Sequence, residues 1–151
     1  TLLGSIGLAS NSNFLPMSQT DLHQPSIYAY KDWQSLGIMV NPGDEVEIDA
    51  QGSWFYTPRE YHGPQGHPVY LAPDFYPVPY AAGGALIGRI GETGQPFVVG
   101  EHLSLGRSNY MRDEGSEGGL LYLRINDDIL SDNDGAMTVK VTLTKASNPT
   151  N

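Results

Sequence analysis

Cysteine is absent from this sequence of 151 residues, which excludes disulfide bonds, thiolate metal sites and cysteine nucleophiles. Basic residues are few, since 8 lysines and arginines stand against 17 acidic residues, for a formal net charge of −9. Such a surface repels phosphate backbones, so we expect no nucleic-acid partner. No apolar run approaches the length of a bilayer-spanning segment, so we expect no membrane insertion.

The length suits one ordinary domain with a single core. Its first residues lack the basic region and cleavage site of a signal peptide, and its last six residues have the composition of a polar linker. We therefore expect a piece of a longer chain, divided into three parts. These are an N-terminal strand or linker extension over 1–30, a β-sandwich domain over 31–145 and a C-terminal linker over 146–151.

Long helices are not expected, because 18 glycines and 11 prolines are spread through the chain. Apolar and polar residues alternate over 45–50, 121–125 and 137–143, which predicts strands with one dry face and one wet face, Tyr122 and Arg124 lying on the wet one. Many short strands between Gly/Pro turns predict an all-β fold, an antiparallel β-sandwich of the jelly-roll or galactose-binding kind. Further strands are predicted at Leu3–Ala9, Gln34–Val40, Ala85–Gly91, Phe97–Val99 and His102–Leu105.

One stretch breaks this alternation. Residues 57–84 are rich in proline, tyrosine, histidine and glycine. A loop of this length in a compact domain is typically either functional or disordered. Its aromatic content argues against disorder, so we interpret it as a binding loop.

A second loop, residues 126–135, is acidic. It holds four aspartates and two asparagines within ten residues. Calcium takes about 6–8 oxygen ligands from carboxylates, amides and carbonyls, which this loop offers, although flanking strands do not fit an EF-hand. The alternative is that Asp134 and Gly135 form a plain hairpin turn with solvated acids beside it. The residues alone leave both interpretations open.

Several short motifs occur in a fixed order. They are Asn41-Pro42-Gly43-Asp44; Tyr56 followed by Gly63-Pro64-Gln65-Gly66; Gly84-Ala85-Leu86-Ile87; and residues 119–127 followed by Asn133 and Gly135. With them, residues 37–143 resemble the PA-IL type of galactophilic lectin, a small bacterial β-sandwich that binds galactose through calcium.

The resemblance implies a set of metal ligands and sugar contacts. The implied calcium ligands are the main-chain carbonyl of Tyr56, Asp127, a loop carbonyl of Leu130 or Ser131, Asp132 and Asn133. The implied sugar contacts are Tyr56, His62, Gln65, His67, Tyr70, Asp127, Asp128 and Asn133. Tyr70 and Pro73 stand where the family has a sugar-binding histidine and glutamine, so the sugar loop departs from the pattern more than the metal loop does.

From this resemblance we expect calcium-dependent binding of carbohydrate, a galactoside or related glycan, by a non-enzymatic domain. We expect an extracellular or cell-surface location and either a homo-oligomer or a larger multidomain chain. Two alternatives stay open. One is a glycosidase with paired carboxylates, although the acids cluster in a single loop. The other is a calcium-stabilised structural or peptide-binding module of a larger secreted adhesin or enzyme.

Overall fold

The computed structural model describes residues 20–56, 60–106 and 118–146. These ranges form an antiparallel β-sandwich of a six-stranded and a four-stranded sheet, which confirms the predicted fold class. The predicted strand Leu3–Ala9 lies outside the described residues. Within the described ranges there is no helix long and apolar enough to cross a membrane. The strands are β1 (Thr20–His23), β2 (Ser26–Tyr28), β3 (Gln34–Val40), β4 (Glu45–Phe55), β5 (Tyr61–His62), β6 (Leu86–Ile90), β7 (Phe97–Val98), β8 (His102–Leu105), β9 (Gly119–Ile125) and β10 (Asp134–Thr144).

The six-stranded sheet is built around β4 and β10. These strands pair along their full length, from Asp134 opposite Phe55 to Thr144 opposite Glu45. Strands β1 and β2 pair with the other edge of β10, and β5 and β8 pair with the other edge of β4. The four-stranded sheet has the order β3-β9-β6-β7.

The core lies between the two sheets and follows the predicted alternation. Ile48 on β4, Val139 and Val141 on β10, and Leu121 and Leu123 on β9 are fully buried. Burying a side chain of this size contributes roughly 1.5–3 kcal/mol relative to exposure. These inward residues therefore hold the two sheets face to face.

Residues 20–29 belong to the same core. Both β1 and β2 pair with β10, and Ile27 and Ala29 are fully buried. The sandwich therefore includes residues of the 1–30 segment.

Arg124 corrects one prediction. Alternation along β9 predicted a solvent-facing side chain, but Arg124 is buried. Its guanidinium pairs with Asp32 at 2.6 Å, and its Cζ lies 5.6 Å from the ring centroid of Trp33. The segment that precedes β3 therefore covers this part of the outer face, and desolvation lowers the pKa of Arg124.

The acidic loop crosses between the sheets. Strand β9 lies in the four-stranded sheet and β10 in the six-stranded one, and the two do not pair within the described residues. The hairpin alternative for Asp134 and Gly135 is therefore wrong. Residues 126–133 instead close one end of the sandwich.

Candidate functional site

Asp127 and Asn133 form the buried centre of the acidic loop. One carboxylate oxygen of Asp127 accepts the backbone N–H of Asp128 at 2.7 Å, and the other accepts the side-chain amide of Asn133 at 2.8 Å. The same amide nitrogen also donates to the carbonyl of Ala29 at 3.1 Å. Because the Asp127 carboxylate and the Ala29 carbonyl are both acceptors, the atom of the Asn133 side-chain amide that faces them must be its nitrogen.

The oxygen of that amide is left over. Asn133 Oδ1 is buried and has no hydrogen-bond partner among the described residues. An unsatisfied buried acceptor costs about 1–3 kcal/mol, and native structures rarely keep one without a reason. An electrophilic partner from outside the chain, either a cation or a hydroxyl group, fits this position beside the Asp127 carboxylate.

The surroundings of the Asp127 carboxylate likewise do not fully stabilise its charged form. Its pKa is raised, because burial disfavours the charged form more than its hydrogen bonds favour it. Those hydrogen bonds come from the Asn133 amide and from the backbone N–H groups of Asp128 and Ile129. A cation bound next to this carboxylate would offset the desolvation.

Arg124 supports the loop from below. Its Nε donates to the carbonyl of Ile125 at 2.8 Å, and its Nη2 donates to the carbonyl of Asp127. The guanidinium therefore fixes the backbone of Asp127 but leaves the carboxylate free for another partner. Sequence reasoning missed this residue, and its only signal was a charged residue in a strand directly before the acidic loop.

Asn126 joins the acidic loop to the long aromatic loop. Its side-chain oxygen accepts the N–H of Val78 at 3.0 Å, and its amide nitrogen donates to the carbonyls of Val78 and Ala82 at 3.0 and 3.2 Å. The fully buried Asn126 thus brings residues 78–82 next to Asp127. Sequence reasoning counted it only as one of the loop's amides and missed this role.

Tyr56, the first predicted ligand, lies beside the same acids. Its ring is fully buried and its hydroxyl is 3.1 Å from that of Tyr76. Burial raises the pKa of Tyr56 to about 12, and the nearby charges of Asp127 and Asp128 contribute to the rise.

Two glycines make room for the Tyr56 ring. A Cβ added to Gly84 would lie 2.6 Å from Tyr56 Cδ2, and Gly84 has a φ of +79°. A Cβ on Gly83 would collide with the hydroxyl of Tyr56. Only glycine fits this close approach, which explains the paired glycines before β6.

The other predicted metal ligands lie in the same loop. Leu130 is half-buried, and its carbonyl accepts the backbone N–H of Asn133 at 3.1 Å. Ser131, Asp132 and Asp128 are exposed. A carbonyl has two lone pairs, so both Leu130 and Ser131 remain candidates for the loop carbonyl.

Four of the predicted sugar contacts form a chain of neighbouring rings that begins at Tyr56. His62 lies 6.3 Å from the Tyr56 ring centroid and 4.7 Å from that of His67, which lies 6.1 Å from Tyr70. Gln65 is exposed on the turn whose Pro64 carbonyl accepts the N–H of Leu86. The structure thus gathers Tyr56, His62, His67 and Tyr70, and their sugar-binding role stays a prediction.

Glu60 completes this group, and sequence reasoning missed it. One of its carboxylate oxygens lies 2.9 Å from His62 Nε2 and 3.3 Å from His67 Nε2. His67 Nδ1 accepts the backbone N–H groups of Val69 and Tyr70 at 3.1 and 3.0 Å. The proton of neutral His67 is therefore on Nε2, facing Glu60.

These three groups are close enough to suggest a metal triad, since their ligand atoms lie within 4.8 Å of one another. Coordination through His67 Nε2 would require a proton on Nδ1, which already faces two N–H donors. The hydrogen bonds therefore favour a Glu60 carboxylate held by two imidazole donors over a transition-metal site.

A second titratable cluster lies far from this site. Glu47 and Asp49 on β4 face His102 on β8, with His102 Nδ1 2.6 Å from Asp49 and Nε2 3.7 Å from Glu47. The ligand atoms of these exposed residues also lie within 4.8 Å of one another. Hydrogen bonding to Asp49 raises the pKa of His102. The cluster therefore provides ionic contacts between the neighbouring strands β4 and β8.

Comparison with known proteins identifies a shared fold. No protein-family model and no curated protein matches the chain. Among solved structures, the chain is similar to one described as the EclA N-terminal domain, a PllA-like lectin, with a TM-score of 0.54 and 22% identity over 78% of this chain and 92% of that one. At this identity the likeness shows the fold alone, a β-sandwich that the two chains share.

Proposed function

We propose that this domain binds carbohydrate through a calcium ion held by the acidic loop, as a non-catalytic lectin or carbohydrate-binding module. The chain has the fold of a structure described as a PllA-like lectin. The observation that carries the proposal is the buried, unpartnered oxygen of Asn133 beside the desolvated carboxylate of Asp127. Both are the hard oxygen donors that calcium prefers.

The remaining ligands would come from the residues around this pair. The main-chain carbonyl of Tyr56, the exposed carboxylate of Asp132, and the carbonyl of Leu130 or Ser131 complete the set. When bound, calcium would offer coordination positions to two neighbouring sugar hydroxyls, which replace water at little loss of polar contacts.

The residues of the chain would then orient the sugar ring. The exposed carboxylate of Glu60, held by two histidines, accepts hydrogen bonds from hydroxyl groups. The exposed Tyr70 ring and the half-buried His67 ring offer apolar contact to the sugar's C–H surface. We propose galactose or a related sugar as the ligand. We also propose an extracellular or cell-surface location, where modules bind calcium with Kd values of about 10⁻⁴–10⁻³ M.

The test is glycan-array binding by the purified domain, first with calcium and then with a chelator. We expect binding to galactosides or related sugars that disappears in the chelator. Binding that persists in the chelator would contradict calcium-mediated recognition.

A second function is favoured by the position of the acidic loop, which crosses from one sheet to the other. A cation there would brace the end of the sandwich, as expected for a calcium-stabilised structural or peptide-binding module of a larger secreted protein. Calcium-dependent stability without binding to any glycan would favour this alternative.

A further inference from the structure

Aromatic side chains gather on the outer face of the six-stranded sheet, at the end nearest the acidic loop. Phe55 and Tyr61 lie opposite each other on β4 and β5, with ring centroids 5.3 Å apart. Tyr28 and Tyr30 lie at the other edge of the sheet, with centroids 5.6 Å apart. The exposed fractions of Tyr61 and Tyr30 are 63% and 45%, so both rings remain accessible to a ligand.

Asp134 connects the two pairs into one row. It lies opposite Phe55 on the neighbouring strand. On its other side, the N–H of Ala29 donates to the carbonyl of Gly135 at 2.9 Å, which continues the β2–β10 pairing and brings Tyr30 alongside Asp134. The row Tyr30–Asp134–Phe55–Tyr61 crosses three strand spacings, about 14 Å. We call this row, with Tyr28, the aromatic platform.

The platform is continuous with the candidate cation site. Phe55 directly precedes Tyr56, and Asp134 directly follows Asn133. Ala29, which lies between the two platform tyrosines, accepts the side-chain amide of Asn133 at 3.1 Å. A chain of sugar rings anchored at the acidic loop would therefore meet the platform without leaving the surface.

We propose that the platform binds the inner sugar rings of an oligosaccharide whose terminal sugar occupies the calcium site. This inference rests on the proposed function. Flat, exposed aromatic rings match the C–H faces of pyranose rings, and the Asp134 carboxylate in the middle accepts hydrogen bonds from their hydroxyl groups.

The central carboxylate distinguishes a glycan from other occupants. A protein partner that covered the platform with apolar side chains would desolvate Asp134 without pairing it, which is unfavourable. The formal net charge of −9 likewise opposes anionic lipid surfaces. A neutral, hydroxyl-rich ligand satisfies both the rings and the acid.

The test compares two probes that both end in galactose, methyl β-galactoside and a hexasaccharide of N-acetyllactosamine repeats, by calorimetric titration in calcium. We expect wild type to bind the hexasaccharide more tightly than the monosaccharide. Tyr30→Ala and Tyr61→Ala should each weaken hexasaccharide binding by roughly 2- to 10-fold and leave monosaccharide binding unchanged. Tyr61→Phe should retain the gain because it keeps the ring.

Leu22→Ala is the control, since Leu22 on β1 is an exposed apolar residue outside both the platform and the candidate cation site, and this variant should bind both probes as wild type does. Equal affinity of wild type for the two probes would overturn the platform but not the calcium site. Equal losses for both probes in the tyrosine variants would also overturn it. Failure of wild type to bind either probe would overturn the proposed galactoside binding and the platform together.

Discussion

Replacing Asp127 with asparagine removes the charge at the centre of the acidic loop and keeps the size of the side chain. The wild-type carboxylate is buried, and its pKa is raised because burial disfavours the charged form more than its hydrogen bonds favour it. Calcium at a concentration 100 times its Kd would stabilise the folded state by about 2.7 kcal/mol. For a domain of this size that corresponds to a rise in Tm of roughly 5–10 °C.

We expect Asp127→Asn to lose this rise, because asparagine supplies neither the charge nor the second carboxylate oxygen. The assay is thermal unfolding of both proteins in chelator, in excess magnesium and in excess calcium. Asp134→Asn is the control, since it makes the same change at an exposed position of the same loop, and it should keep the calcium response. A calcium-dependent rise in Asp127→Asn equal to that of wild type would refute the assignment of the cation to this carboxylate.

Three other predictions test the surroundings of the site. Gly84→Ala should lower the free energy of unfolding in urea by roughly 1–3 kcal/mol, because the added methyl group meets the Tyr56 ring, and an unchanged unfolding midpoint would contradict this packing. Arg124→Met should lower the free energy of unfolding by about 1.5–3 kcal/mol, since the loop carbonyls lose a charged donor. The same variant should bind calcium more weakly in calorimetric titration. Retention of wild-type calcium affinity would show that the guanidinium does not position the loop. Hydrogen bonding to Asp49 raises the pKa of His102, so the stabilising contribution of His102 is fully present below about pH 6.5, its unfolded pKa. This contribution is lost as pH rises through the higher folded pKa. The Tm measured by thermal unfolding should therefore decline across that range in wild type, and the decline should be smaller in His102→Gln.

Much of the fold was predictable because long strands carry a strong period-two signal. The predicted bounds of Gln34–Val40 and His102–Leu105 agree with β3 and β8. The short strands β1, β2 and β5 were missed, since each holds only one or two apolar residues and has no alternation of its own. The pairing partner of β1 and β2 is β10, at the far end of the sequence, so tertiary contacts rather than local pattern define these two strands.

The candidate site was predictable where residue type alone indicates chemistry. Asp127 and Asn133 stand out as oxygen donors in an acidic loop, whereas Arg124 and Asn126 act through hydrogen bonds to backbone groups that the sequence does not reveal. Glu60 was missed because its position beside two imidazoles depends on how the long loop folds.

The Asn126 side-chain amide anchors the long loop in a way that allows its exposed residues to change. It holds residues 78 and 82 of the long loop by backbone groups alone, so the exposed side chains between His67 and Val78 can vary while the loop stays anchored. The acidic loop with its proposed calcium ligands and these exposed positions of the long loop therefore lie on separate segments, joined by hydrogen bonds that do not depend on the side chains at 78 and 82. If the proposed function holds, a library randomised at exposed positions such as 69–71 and 75 would change ligand specificity and leave the proposed calcium ligands unchanged.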